Sequence, residues 1–176
     1  IILLLAPFLF YSFHLLAYLC PMRKLSMEEL GRKSVEEVKQ SEKTPVIVVL
    51  ENIRSAYNIG SVFRTADAFL VEAIYIIGYS AIPPHKEIKK TALGAEDSVA
   101  WKHFATSAEA IIELRANGYN VYAVEQAEGS YKLNAIGFDI EEKIAVIFGN
   151  EVTGVEQSTI QLTDGCLEIP QLGMKH

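Results

Sequence analysis

Cysteine is scarce in this chain. Cys20 and Cys166 stand far apart without metal-ligand spacing, which argues against a disulfide framework and for a reducing cytoplasm. Histidine is sparse too: His14, His85, His103 and His176 are scattered, and no His or Cys cluster suggests a metal site. No glycine-rich phosphate loop and no Gly-x-Gly-x-x-Gly follows a strand-like run, and no nucleophile elbow offers a Ser-His-Asp arrangement. Basic charge is also short, with 16 Lys and Arg against 22 Asp and Glu and a net charge of −6. That balance works against non-specific nucleic-acid binding but leaves room for local basic patches. Two are candidates, His85 with Lys86, Lys89 and Lys90, and Arg23 and Lys24 with Arg32 and Lys33. Ordinary solvated surface is an equal alternative for each. What the chain does have is apolar residues, 50% of the total, with only 22% charged. A chain of 176 residues with that content suits one domain with a real core and a short extension.

Residues 1–20 carry no charge and are long enough to span a bilayer as a helix, with Arg23 and Lys24 placing the remainder on the cytoplasmic side. Several features oppose that. The chain begins with Ile, no basic segment precedes the apolar run, and no small-residue cleavage site follows it. Met22-Arg23-Lys24-Leu25-Ser26 has the look of an ordinary protein start. The expectation is therefore that residues 1–21 are translated upstream sequence or the product of a mis-called start, with a membrane anchor as the alternative. Residues 22–45 are expected to hold a helix, capped by Ser26 and running to about Gln40, and a linker, Ser41 to Pro45.

From residue 46 the chain alternates. Val46–Leu50, Ala73–Ile77, Tyr119–Val124, Ile144–Phe148 and Cys166–Ile169 have strand character. Between them, Tyr57–Phe69, a short segment through Thr91–Ala95, Ser107–Asn117 and a stretch near Val155–Leu162 have helical character. Apolar strands separated by helices predict an α/β fold, a parallel sheet flanked by helices. Ligands of such sheets gather outside the carboxyl ends of the strands.

Three strand exits therefore draw attention. The first leads through Asn52 and Arg54 to Asn58 and Arg64. Arg64 either presents its forked guanidinium to a phosphate or pairs with Asp67 at i,i+3. Asn58 either caps the helix or offers its amide to a ligand. The second exit, Gly149-Asn150-Glu151, allows close backbone approach at Gly149, with Glu151 accepting bonds from a ligand or from Arg64, or simply forming a turn. The third, Ile169-Pro170-Gln171-Leu172-Gly173, offers backbone amides and apolar side chains to an adenine ring, or is only a loop.

Taken in order, Asn-x-Gly-x-x-x-Arg-Thr-Ala-Asp-Ala-Phe, Phe-Gly-Asn-Glu-x-x-Gly and Ile-Pro-x-x-Gly resemble the SpoU/TrmH family of RNA ribose 2′-O-methyltransferases, within the SPOUT superfamily. The resemblance covers residues 46–176 and includes Thr91-Ala92-Leu93-Gly94-Ala95. It implies a trefoil-knot α/β fold, S-adenosylmethionine (SAM) as the cofactor without a metal, RNA (tRNA or rRNA) as the partner, and a homodimer. It also implies that Asn58, Arg64 and Glu151 serve catalysis, while Gly149, Ile169, Leu172, Val124 and Glu125 hold the cofactor. In the family a Ser-Leu-Asn-type segment and a final helix through the knot follow the third motif, whereas this chain stops at His176. The expectation for residues 1–176 is thus an incomplete knot and weak or absent methyl transfer, with an inactive RNA-binding or dimerisation module as the alternative.

Overall fold

The computed structural model describes residues 22–26 and 28–173, and its compact units divide between Lys33 and Ser34. Expectations for residues 1–21, with His14 and Cys20 among them, and for His176 lie outside the described residues. So does the closure of the knot. Among the described residues no helix is long and apolar enough to cross a membrane.

In the first unit Arg23 forks onto the Glu29 carboxylate at 2.6 and 2.9 Å. Glu29 also accepts from the Ser26 N–H at 2.8 Å. The helix expected from Ser26 to Gln40 does not form as one piece. A turn closes at Gly31, whose φ of +54° suits glycine, and helix α1 (Val35–Gln40) starts afresh in the second unit. Its start is a complete capping box: the Ser34 side chain accepts from Glu37 N and the Glu37 side chain accepts from Ser34 N. A second cap within the expected helix was the overlooked signal.

The second unit runs α1, β1 (Thr44–Glu51), α2 (Ala56–Ala68), β2 (Val71–Ile77), α3 (Lys86–Ala92), α4 (Ala95–Ser98), β3 (Ala100–Phe104), α5 (Ser107–Ala116), β4 (Asn120–Val124), β5 (Tyr131–Lys132), β6 (Ile144–Phe148), α6 (Gln157–Ile160) and β7 (Gly165–Glu168). The strands form a seven-stranded sheet in the order β3-β2-β1-β6-β4-β7-β5, every pair parallel. Parallel pairing buries both faces of the central strands, hence the unbroken apolar run in β1. Ile47 and Val49 point to the layer containing α5, where Ile111 and Leu114 close the core. Val48 and Leu50 point to the other layer, with Ile59 and Phe63 of α2 and Ile88 of α3.

Two strands escaped sequence analysis. β3 is an edge strand whose Ala100, Lys102 and His103 are exposed, so it lacks an apolar run. β5 is two residues long. The segment expected to be helical through Thr91–Ala95 is instead the seam between α3 and α4, where Leu93 (φ 55°) and Gly94 (φ 96°) are both left-handed. Chain order reverses beside β1: the chain leaves β1 towards β2 on one side, and β6 later pairs on the other. Such a switch point opens a crevice at the carboxyl ends of the strands.

Candidate active site

At the crevice β1 ends on Glu51, a carboxylate only 1% exposed. It holds three elements together. Its Oε1 accepts from the hydroxyls of Ser107 on α5 and Thr159 on α6, and its Oε2 accepts from Glu156 N at 2.8 Å. Such bonds offset the cost of burying the charge. Asn52 follows with a left-handed φ of 53°. Its Nδ2 donates to Glu156 Oε1 at 2.8 Å, while its carbonyl accepts from Asn150 Nδ2 at 2.8 Å.

The next residues belong to Glu151. Its carboxylate accepts from Arg54 N at 2.9 Å, Ser55 N at 3.1 Å and Asn58 Nδ2 at 2.8 Å. Burial pushes the Glu151 carboxyl up, but these donors and its own N–H outweigh burial, and the group settles below the ordinary carboxylate range. The acid sits where the positive end of the α2 dipole favours it. The helix cap itself is Ser55, whose Oγ accepts from Asn58 N. Asn58 is therefore neither cap nor fully free: Nδ2 is bound to Glu151, and Oδ1 remains unbonded among the described residues.

The loop carrying Glu151 is tightly folded. Asn150 and Gly154 exchange backbone bonds at 3.0 and 2.9 Å, and Asn150 Oδ1 accepts from Val152 N and Thr153 N. A Cβ on Gly149 would lie 2.2 Å from the Gly154 carbonyl, so Gly149 serves the loop's own closure. Glu125, beyond β4, braces the same loop by accepting from Val155 N at 3.0 Å.

Two cavities meet at Asn58 and Glu151. One, about 510 Å³, is largely apolar, with Val48, Leu50, Val62, Val146 and Phe148 among its walls. The other, about 340 Å³, is lined by Arg54, Ser55, Asn58 and Glu151. Arg64 lines neither. Six residues along the helix place it about 9 Å further on and roughly 120° around from Asn58. The alternative of an Arg64–Asp67 pair is not met: Asp67 accepts from Ser98 Oγ at 2.5 Å, and Arg64 is exposed without a bonding partner among the described residues. Nor does Arg64 donate to Glu151, whose bonded partners are the residues of the first loop and Asn58.

The expected cofactor residues fall at neighbouring strand ends. Val124 closes β4 and Glu125 follows it, Gly149 follows β6 and Ile169 follows β7, in the local order β6-β4-β7. Ile169 and Leu172 are 45% and 100% exposed, and Val124 is half-buried. The N–H groups of Gln171, Leu172 and Gly173 bond to no described residue. Backbone amides beside apolar side chains fit a heteroaromatic ring bearing acceptor nitrogens. Sequence analysis missed Glu51, Ser55 and Glu156, and named Asn150 only as part of the second motif. A carboxylate closing an otherwise apolar run was the available sign for Glu51, and a serine just before a helical run was the sign for Ser55; Asn150 and Glu156 depend on contacts distant in sequence.

The model of the SpoU rRNA methylase family matches residues 45–176. A tRNA (guanosine(18)-2′-O)-methyltransferase of Thermus thermophilus is 31% identical over 147 residues, covering 83% of this chain and 73% of the relative. The solved TrmH/SpoU tRNA modifying enzyme of A. aeolicus superposes with a TM-score of 0.69 at 21% identity, over 80% of this chain and 70% of that one. An AdoMet-bound rRNA methyltransferase from Sinorhizobium meliloti gives 0.69 at 25% identity, over 82% of this chain and 54% of that one. With a switch-point crevice built from the motifs of its first and sixth strands, and this match over three quarters of its length, the chain belongs to the SpoU rRNA methylase family.

Proposed function

We propose that this protein transfers a methyl group from SAM to a ribose 2′-hydroxyl of tRNA or rRNA, and that it acts as a homodimer. The observation that carries this is the joint at the switch point. Glu151 grips Arg54, Ser55 and Asn58, and the adjoining strand ends present Val124, Gly149, Ile169 and Leu172. Family membership, the activity named for the Thermus relative and the AdoMet of the Sinorhizobium enzyme support the same reading.

Bound beside residues 169–173, SAM would supply a methyl group on positively charged sulfur, open to in-line attack. The chain's task is to hold the ribose in line while the hydroxyl proton passes to solvent water. Asn58 Oδ1 is available to accept from a sugar hydroxyl. Arg64 is unsuited to be the base, because guanidinium keeps its proton. Its role is to fork onto a phosphate of the RNA beside the methylated ribose. Glu151 is a positioning residue, since its oxygens already hold the loop. The dimer rests on the apolar walls of the 510 Å³ cavity beside α2, which a second copy would cover.

Mapping 2′-O-methyl sites in total RNA from cells with and without the gene tests the reaction. Loss of one or a few sites is expected, and identical maps would overturn it. Light scattering at micromolar protein tests the dimer, and a monomer there would exclude it.

A further inference from the structure

The α2–α3 pair carries a feature the methyl-transfer site does not use. Helix α3 presents Lys86, Lys89 and Lys90, all exposed, at i, i+3 and i+4, opposite buried Ile88 and Ala92. None of the three is in an ion pair among the described residues, and Glu87, the single acid on α3, does not neutralise them through one. His85 stands at the head of α3 instead: its Nδ1 accepts from Glu87 N at 3.2 Å, which uses the ring to cap the helix.

The lysines are locked against the motif helix. Thr91 Oγ1 donates to the Tyr57 carbonyl at 2.9 Å, and a Cβ on Gly60 would lie 2.4 Å from the Ile88 carbonyl, so the two helix backbones touch. Lys90 Nζ lies 5.9 Å from the centre of the Tyr57 ring. Tyr57, 41% exposed, shares a stripe with Ser61 and Arg64 at i, i+4 and i+7. The strip thus joins Lys86, Lys89, Lys90, Tyr57 and Arg64, with Arg54 at the head of α2. This is a run of cations around one exposed aromatic ring, on a chain whose net charge is −6.

We propose that this strip is the seat of the single-stranded RNA flanking the methylated ribose, with the lysines and Arg54 on phosphates and Tyr57 stacked on a base. Charge complementarity commits the surface to a polyanion, and the exposed ring selects one with unpaired bases. The lysines are a point-charge track that sets affinity and register and carries no sequence preference. The inference rests on the RNA reading above and adds the surface that holds the strand.

The test is fluorescence anisotropy of the full chain with a short unstructured RNA and with an unmodified tRNA transcript, across a salt series. The Lys86→Ala, Lys89→Ala, Lys90→Ala triple variant should bind both RNAs more weakly. The slope of log affinity against log salt should shrink by about 2, at roughly 0.7–0.9 per phosphate contact. Tyr57→Ala should lose about tenfold with little change in slope, and Tyr57→Phe should restore binding. Lys39→Ala, on exposed α1, should change neither quantity. An unchanged circular dichroism melt in the variants excludes misfolding. If the wild-type chain binds RNA and the triple variant binds equally well with the same slope, the strip is wrong while the RNA reading stands. If the wild-type chain binds no RNA, both fall.

Discussion

Arg64 and Glu151 show how differently two motif residues can serve one site. Arg64 is exposed and without a bonding partner among the described residues, so the fold asks nothing of its guanidinium. Arg64→Lys should leave urea stability within about 0.5 kcal/mol of wild type, as surface changes do. It should lower methyl transfer about a hundredfold, because a point charge cannot fork. Full activity in a radiolabelled-methyl assay of the intact gene product would refute the forked role. Glu151 is the reverse case, a carboxylate fully engaged in holding its neighbours. Its pKa is depressed on folding, so its stabilising effect is complete above the unfolded value, about 4.3, and disappears as pH falls through the lower folded value. Urea midpoints of wild type and Glu151→Gln should differ at neutral pH and converge in acid. A difference that persists well below pH 4.3 would show that some other feature of the substitution is responsible.

At the scale of elements the α2–α3 packing matters most, because it sets both the motif helix and the lysine track. Gly60 makes it possible: a Cβ there would meet Thr91 Oγ1 at 2.1 Å and the Ile88 carbonyl at 2.4 Å. The carbonyl is backbone and cannot rotate away. Gly60→Ala should therefore force the helices apart and cost about 1–3 kcal/mol, despite the better helix propensity of alanine. A urea midpoint equal to or above wild type would mean that the helices separate without loss. Elements of this kind also mark what the sequence could and could not reveal. β1 and β6 were legible because strands buried on both faces are apolar throughout. β3 was not, since its exposed edge lets polar residues in. Helix α1 was placed too early because Ser26 and Ser34 are both followed by Glu three residues later, and only Gly31 separates the two starts. The site divided the same way. Asn58, Arg64 and Glu151 could be picked out by motif, but the bond between Asn58 and Glu151 spans 93 residues, and no local pattern encodes it.

Across the whole molecule, the crevice depends on one carboxylate that ties the end of β1 to two helices packed on the same face of the sheet. Glu51 closes the central strand, yet its partners lie on α5 and at the start of α6, 56 to 108 residues away. Because Glu156 also accepts from Asn52, and Asn150 donates to the Asn52 carbonyl, the tie extends into the loop that leads to α2 and Asn58 and into the loop that carries Glu151. Removing the carboxylate would leave the buried Thr159 hydroxyl, the half-buried Ser107 hydroxyl and the Glu156 N–H without their acceptor. Glu51→Ala should cost roughly 3 kcal/mol or more, counting several charge-assisted bonds lost at once. Glu51→Gln should cost less, about 1–2 kcal/mol, because its oxygen can still serve Glu156 N while the two hydroxyls rotate to accept from its amide. The order of these variants carries more weight than their absolute values. Hydrogen exchange supplies the second readout: in both, the Glu156, Arg54 and Ser55 amides should exchange faster than in wild type, while Val49 and Ile147 in the sheet centre stay protected. If Ala and Gln unfold at the same urea concentration as wild type, Glu51 is a tolerated buried acid and the crevice is held open by packing alone. If only Glu156 exchanges faster, the tie ends at α6 and does not reach the loop that leads to α2 and Asn58.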